Sequence, residues 1–144
     1  MFENILKEVV QIYWYTKKAV VQNSRARTFE GQSLQLLDQT FVLMYRSPSV
    51  IPGSGKSQFL EEFEEIVGEL LLKSKHALYI FADLNIQLQD PGDSFSVAFN
   101  EVLLRFGLKQ CINVPTHDKG GILDVFITNK SDMTKTFQYW KIIN

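Results

Sequence analysis

Between Phe59 and Leu71 the apolar residues recur every three or four positions: Phe59, Leu60, Phe63, Ile66, Val67, Leu70 and Leu71. That spacing stacks them on one face of a helix. Glu61, Glu62, Glu64, Glu65 and Glu69 fall on the other side, and Lys73 and Lys75 follow where cations complement the carbonyl end of the helix dipole. A second helix is expected after "DPGD" (90–93). Asp93 or Ser94 would cap it, and Phe95, Phe99, Val102, Leu103 and Phe106 would form its buried face. Gly107 is suited to end it in a left-handed conformation.

The remaining apolar runs are shorter and read as strands. "SLQLL" (33–37) and "TFVLMY" (40–45) flank Asp38-Gln39, which predicts a hairpin. "HALYIFADLNI" (76–86) is apolar on both alternating sets, as in a central strand with layers above and below it. "LKQCINV" (108–114) and "GILDVFIT" (121–128) predict two more strands joined by "PTHDKG". "RSPSVIPGSGKS" (46–57) carries Pro48, Pro52, Gly53 and Gly55 and reads as a loop. Residues 1–27 are less regular. "ENILKEVVQIYWY" is compatible with a short amphipathic helix running into a strand, and "QNSRAR" with a polar loop. Alternating strands and helices give an α/β or α+β class, a mixed sheet packed by helices.

Composition narrows the function classes. The 144 residues are 45% hydrophobic and 22% charged, values of a folded globular chain rather than a disordered one. Lys and Arg number 15 against 16 acidic residues, so the chain lacks the basic excess of a protein held on nucleic acid by charge alone. A local patch that grips DNA remains compatible with that balance. Cys111 is the only cysteine, which rules out an internal disulfide framework and fits a reducing compartment. The longest uncharged stretch near the start, Val9 to Thr16, is too short to span a bilayer, and the layout is not that of a secretory signal. The expectation is an intracellular protein, nuclear or cytoplasmic, with no membrane partner.

Most candidate chemistry fails on spacing. "GSGKS" (53–57) sits between a strand and a helix, but Val50 stands where a P-loop needs its first glycine, and Pro52 removes a backbone donor. A flexible surface loop is the expectation there. His76 and His117 are the only histidines and, with one cysteine, cannot build a zinc site. His76 reads as a cap or a solvated residue. No G-x-S-x-G elbow is present. Metal chemistry would therefore rest on carboxylates, hence Mg²⁺ or Mn²⁺. What is left is "ADLN" (82–85). On a regular strand Asp83 and Asn85 would point to the same side, a carboxylate beside an amide, although both residue types also form ordinary turns.

Four stretches in order alter the weight of that pair: "MYRSP" (44–48), "FADLNI" (81–86), "DSFSVAFNEVLLRFGLKQ" (93–110) and "VPTHDKGGILDVFIT" (114–128). Together they resemble the endonuclease/exonuclease/phosphatase superfamily, and more narrowly the endonuclease domain encoded by non-LTR retrotransposons. That family shows Y-R-x-P, a helix with F-x-x-x-F, G-D-F-N-I, a helix ending near F-G-L, and P-T-H-x-x-G-x-x-L-D. The resemblance covers about Thr28 to Asn129, giving three segments: 1–27 without a match, 28–130 as a partial domain, and 131–144 as an unrelated tail. It implies a partial layered β-sandwich with flanking helices and an ancestral Mg²⁺-dependent hydrolysis of DNA phosphodiester bonds. By motif match Asp83 would orient or activate the attacking water, and Asn85 would hold the scissile phosphate. Tyr45 and Thr116 would sit against the phosphate, and Asp124 would orient the family's catalytic histidine.

Three departures accompany the matches. The family's first strands, which carry an asparagine and a metal-binding glutamate, have no counterpart in 1–27; Glu30 belongs to a later stretch and is not that ligand. The family's terminal S-D-H is not found: "SDM" (131–133) has Met133 in place of histidine, arrives too soon after Asp124 to be that strand, and reads as coincidence. Ala82 and Leu84 replace the glycine and phenylalanine of G-D-F-N. Loss of a general acid–base group costs about 10²–10⁴ in rate. No metal ligand is assigned, and the expectation is a truncated, catalytically inert domain, with Mg²⁺ or Mn²⁺ and DNA as its ligands only if active. Missing first strands would also expose a sheet edge through which the chain self-associates. Two other readings stand beside it: an active metal-dependent endonuclease or phosphatase with substitute groups, and a non-catalytic protein-interaction module.

Overall fold

The computed structural model describes residues 20–23, 26–36, 38–48, 55–73, 77–88, 90–116, 122, 124–130 and 132. The expected hairpin is formed by β2 (Glu30–Leu36) and β3 (Gln39–Tyr45), with Leu36 paired to Gln39. The helix predicted from Phe59 is α1 (Gly55–Lys73), and it begins four residues earlier than the apolar stripe. Gly55, Lys56 and Ser57, expected in a loop, form its first turn. β4 (Ala77–Asp83) follows, then α2 (Ser94–Arg105). Asp93 caps α2, its Oδ2 accepting from the Ser96 amide at 2.9 Å, and Gly107 leaves the helix at φ 65°.

Two strands are shorter than their apolar runs. β5 is Lys109–Gln110 alone, and β6 is Asp124–Thr128. The Gln110 side chain donates to the Ile112 carbonyl and accepts from the Ile112 amide, so those backbone groups are taken by a side chain and not by a ladder. Conversely, β1 (Val20–Asn23) pairs antiparallel with β2, although Gln22 and Asn23 read as the start of a polar loop. The readings of His76, His117, Lys75, Met133 and "ENILKEVVQIYWY" fall outside the described residues. No helix among the described residues is long and apolar enough to cross a membrane.

The six strands form one mixed sheet in the order β1-β2-β3-β4-β6-β5, with β3 and β4 its parallel pair, joined by the α1 crossover. The fold is α/β, with flanking helices. Thr40, Val42 and Met44 of β3 lie in register with Leu78, Ile80 and Ala82 of β4, all buried. This face meets the apolar stripes of α1 and α2 at an aromatic cluster. Phe59, fully buried, lies 5.6 to 6.1 Å from the rings of Phe29, Phe63, Phe95 and Phe99. The opposite face carries Phe41, Tyr79, Phe81 and Phe126, with Phe81 and Phe126 4.8 Å apart and Phe41 stacked on Tyr79 at 5.2 Å. A buried strand read as apolar on both alternating sets is thus apolar on both faces.

Glu62, one of the acids on the polar side of α1, ties the entrance to β2 onto the helix. Its Oε2 accepts from the Arg27 amide (3.0 Å), the Thr28 amide (2.9 Å) and the Thr28 hydroxyl (2.6 Å), while its Oε1 accepts from Gln58 (3.1 Å). Burial alone would raise its carboxyl; the bonds from Thr28, Arg27 and Gln58 outweigh it and hold the group below its ordinary value. The clamp places Phe29 edge-on against Phe59. Glu62→Ala should therefore cost about 1–2 kcal/mol by urea denaturation at neutral pH. Because the folded-state pKa is depressed, this contribution is complete above the unfolded value of about 4.3 and is lost as pH falls through the folded one. The gap between wild type and variant should narrow as pH falls below that unfolded value.

Candidate functional site

The sheet register gathers three of the five candidate residues. Tyr45 at the end of β3 pairs with Asp83 at the end of β4, and Asp83 pairs with Asp124 at the start of β6. Residues opposite one another on neighbouring strands share a face, so Tyr45, Asp83 and Asp124 form a row across three strands at one end of the sheet. Thr116 reaches the same end from the loop after β5: its Oγ1 accepts from the Asp124 amide at 3.1 Å. That bond fixes the start of β6. Tyr45 is 45% exposed and the other four are half-buried, as accessible polar groups at the rim of a core must be.

Asn85 arrives by a different route from the one its spacing predicts. β4 ends at Asp83, and Asn85 has left-handed backbone, φ 51°, which Asn tolerates better than most residues. The two-residue alternation of a strand therefore does not place it beside Asp83. A turn does: the Asn85 amide donates to Asp83 Oδ1 at 3.3 Å. The Asn85 side chain is then oriented by its Nδ2, which donates to the Arg46 carbonyl at 2.7 Å. A carbonyl accepts only from the nitrogen end of the amide, so this bond sets which way the group faces. Asp83 and Asn85 are at once turn chemistry and a polar pair at the end of the row. Ala82 and Leu84, the departures on either side of Asp83, are both buried and seat this corner in the core.

Sequence reasoning quoted Arg46 within "MYRSP" but gave it no role. It follows Tyr45, is only 7% exposed, and meets the corner through both backbone and side chain. Its amide donates to the Asp83 carbonyl at 2.8 Å, and its Nη1 donates to the Leu84 carbonyl at 3.4 Å. Its guanidinium carbon lies 5.6 Å from the Phe59 ring centre. Its Nε is buried without a partner, and burial lowers the pKa of the group. Arg46 is the arginine of the Y-R-x-P match, but the motif does not reveal this role, because the atoms it grips are main-chain carbonyls.

Mg²⁺, the cation implied by the family resemblance, demands near-octahedral oxygen coordination. Asp83 and Asp124 face one another, but no group of three or more His, Cys, Asp or Glu side chains able to hold a metal occurs among the described residues. Glu30 lies in the same row, opposite Tyr45, and so two strands from Asp83. At about 4.8 Å per strand the two backbones are roughly 10 Å apart. Asp83 and Asp124 are the facing carboxylates among the described residues, and a magnesium ion held by them would need water or phosphate oxygens for its remaining positions. A cleft of ≈ 430 Å³ opens elsewhere, between α1 and the helix-facing side of β2 and β3, where Gly31 and Ser33 are too short to fill the space. It is lined by Val42, Met44, Glu65 and Leu70 and lies on the opposite face from the row.

No family model matches the chain, and no curated protein does. Among solved structures it is similar to the endonuclease domain of TRAS1, a telomere-specific non-LTR retrotransposon, at 16% identity and a TM-score of 0.56, over 83% of this chain and 57% of that one. It is also similar to the cytolethal distending toxin of Haemophilus ducreyi, at 16% identity and a TM-score of 0.50, over 76% of this chain and 42% of the other. A putative acetyltransferase from Sphaerobacter thermophilus matches at 12% identity and a TM-score of 0.50, over 78% of this chain and 66% of that chain. This chain thus spans about two fifths to two thirds of the length of these neighbours, whose titles differ in activity. The similarity is a distant one of fold alone.

Proposed function

We propose that this chain is part of a retrotransposon-type endonuclease domain, retaining a phosphodiester-facing group of residues and lacking the means of turnover. The observation that carries the reading is the register row Tyr45–Asp83–Asp124, joined at one end of the sheet by Asn85 and Thr116. The Tyr45 hydroxyl and the Asn85 amide are donors suited to phosphate oxygens. Asp83 is suited to accept a proton from, or orient, a water beside them. DNA is the partner this chemistry would take.

Turnover needs more. Phosphodiester hydrolysis depends on neutralising charge that builds on the phosphate, by cation or by preorganised donors. Among the described residues no third His, Cys, Asp or Glu side chain joins the two facing carboxylates in a metal-binding group. The reading accordingly combines a recognisable site with negligible catalysis.

A nicking assay tests it. Purified chain, shown to be folded by circular dichroism, is incubated with supercoiled plasmid and Mg²⁺ or Mn²⁺, beside an EDTA control and Asp83→Ala. The expected result is no nicking above the EDTA control for either protein. Divalent-dependent nicking that disappears with Asp83→Ala would establish an active nuclease and overturn the inert reading.

A further inference from the structure

We infer that Arg46 is the positioning residue of the phosphodiester site, a latch whose side chain holds the Asp83–Asn85 corner in the conformation that presents Asn85. This rests on the functional reading above and names a residue that it leaves out.

The argument begins with a burial that stability does not explain. A guanidinium placed in the core loses its hydration, and only strong partners restore it. Arg46 has a long bond to one carbonyl and the face of Phe59, and its Nε has nothing. No carboxylate pairs with it among the described residues. An apolar side chain of similar length would fill this place without leaving a donor unpaired, and such exchanges are often neutral or stabilising.

What Arg46 has, and an apolar residue would lack, is a hold on the corner. Its amide bonds the Asp83 carbonyl, its guanidinium bonds the Leu84 carbonyl, and its carbonyl receives the Asn85 side chain. Three consecutive residues, 83 to 85, are thereby fixed to one. The main-chain contacts depend on where the Arg46 backbone lies, and the buried side chain anchors that backbone between Phe59 and Leu84. Asn85 in left-handed backbone is the strained member of the set. Freed from the latch it has other conformations available, and its Nδ2 then no longer faces one direction.

The test separates positioning from packing. Arg46→Met keeps length and contact with Phe59 while removing every side-chain donor; Arg46→Lys keeps the charge and a single donor nitrogen. Hydrogen exchange of the Asn85 side-chain amide is followed by NMR, alongside global stability in urea. Val67→Ala, a core change on α1, serves as a control destabilised for packing reasons alone. Arg46→Met should be as stable as wild type or more so, yet exchange the Asn85 amide about tenfold faster, as expected for loss of one hydrogen bond's worth of order. Arg46→Lys should recover part of the protection, and Val67→Ala should leave Asn85 at the wild-type rate. Unchanged Asn85 exchange in Arg46→Met, or equal acceleration in Val67→Ala, overturns the proposal. Inorganic phosphate titrated into wild type reports separately on the functional reading. Shifts at Asn85 and Tyr45 support that reading, whereas their absence counts against it and leaves the latch to be decided by exchange.

Discussion

Phe59→Ala should lower stability by about 3–5 kcal/mol in urea denaturation, the range for deleting a fully buried aromatic ring. Phe59 is where the cluster's separate pieces meet: Phe29 from the entrance to β2, Phe63 from its own helix, and Phe95 and Phe99 from α2 all lie against its ring. Four neighbours from three directions cannot all move inward to fill the space, so the cavity term should be near its upper end. Domains are stable by only about 5–15 kcal/mol, and the variant would sit close to the unfolding threshold. A loss below about 1 kcal/mol would mean that the helices do not pack on the sheet as described.

Phe126→Ala probes the other face and should cost a similar amount, about 3–5 kcal/mol. Phe126 is fully buried on β6, 4.8 Å from Phe81 and stacked with Tyr79 at 6.3 Å. The two variants together ask whether this sheet has one core or two. Equal losses would place comparable cohesion on both faces. A large loss for Phe59→Ala beside a near-silent Phe126→Ala would show that the helix side alone holds the fold, and that the aromatic side contributes little.

Periodicity made the frame legible. A stripe of apolar residues in α1 and α2 and the alternating runs of β2, β3 and β4 have no other way to bury themselves, so sequence and structure agree there. Disagreement arises where a side chain competes with the ladder. Gln110 satisfies Ile112 and cuts short the strand expected over 108–114, and Thr116 takes the Asp124 amide where β6 begins. β1 was hidden for the converse reason: Gln22 and Asn23 are polar, and an edge strand needs no apolar alternation to pair its backbone with β2.

The site divides along the same line. Tyr45, Asp83 and Asp124 belong to regular strands, so their convergence follows once the register is known. Asn85 does not, because a left-handed turn rather than a pleat delivers it. Arg46 belongs to the Y-R-x-P match, yet its role was not legible there, since its partners are carbonyls nearly forty positions away in the chain.

The β3–α1–β4 connection has a consequence for the order of assembly. β2 and β3 meet through a short turn, and hairpins of that kind close within about 1–10 μs. β4 is parallel to β3, so their pairing must close the long connection that contains α1, and β6 comes from still further along the chain. Asp83 is flanked by both of these late pairings. The corner that carries the candidate chemistry is therefore completed at the end of folding, and a chain halted before β6 docks would hold a finished hairpin and no site.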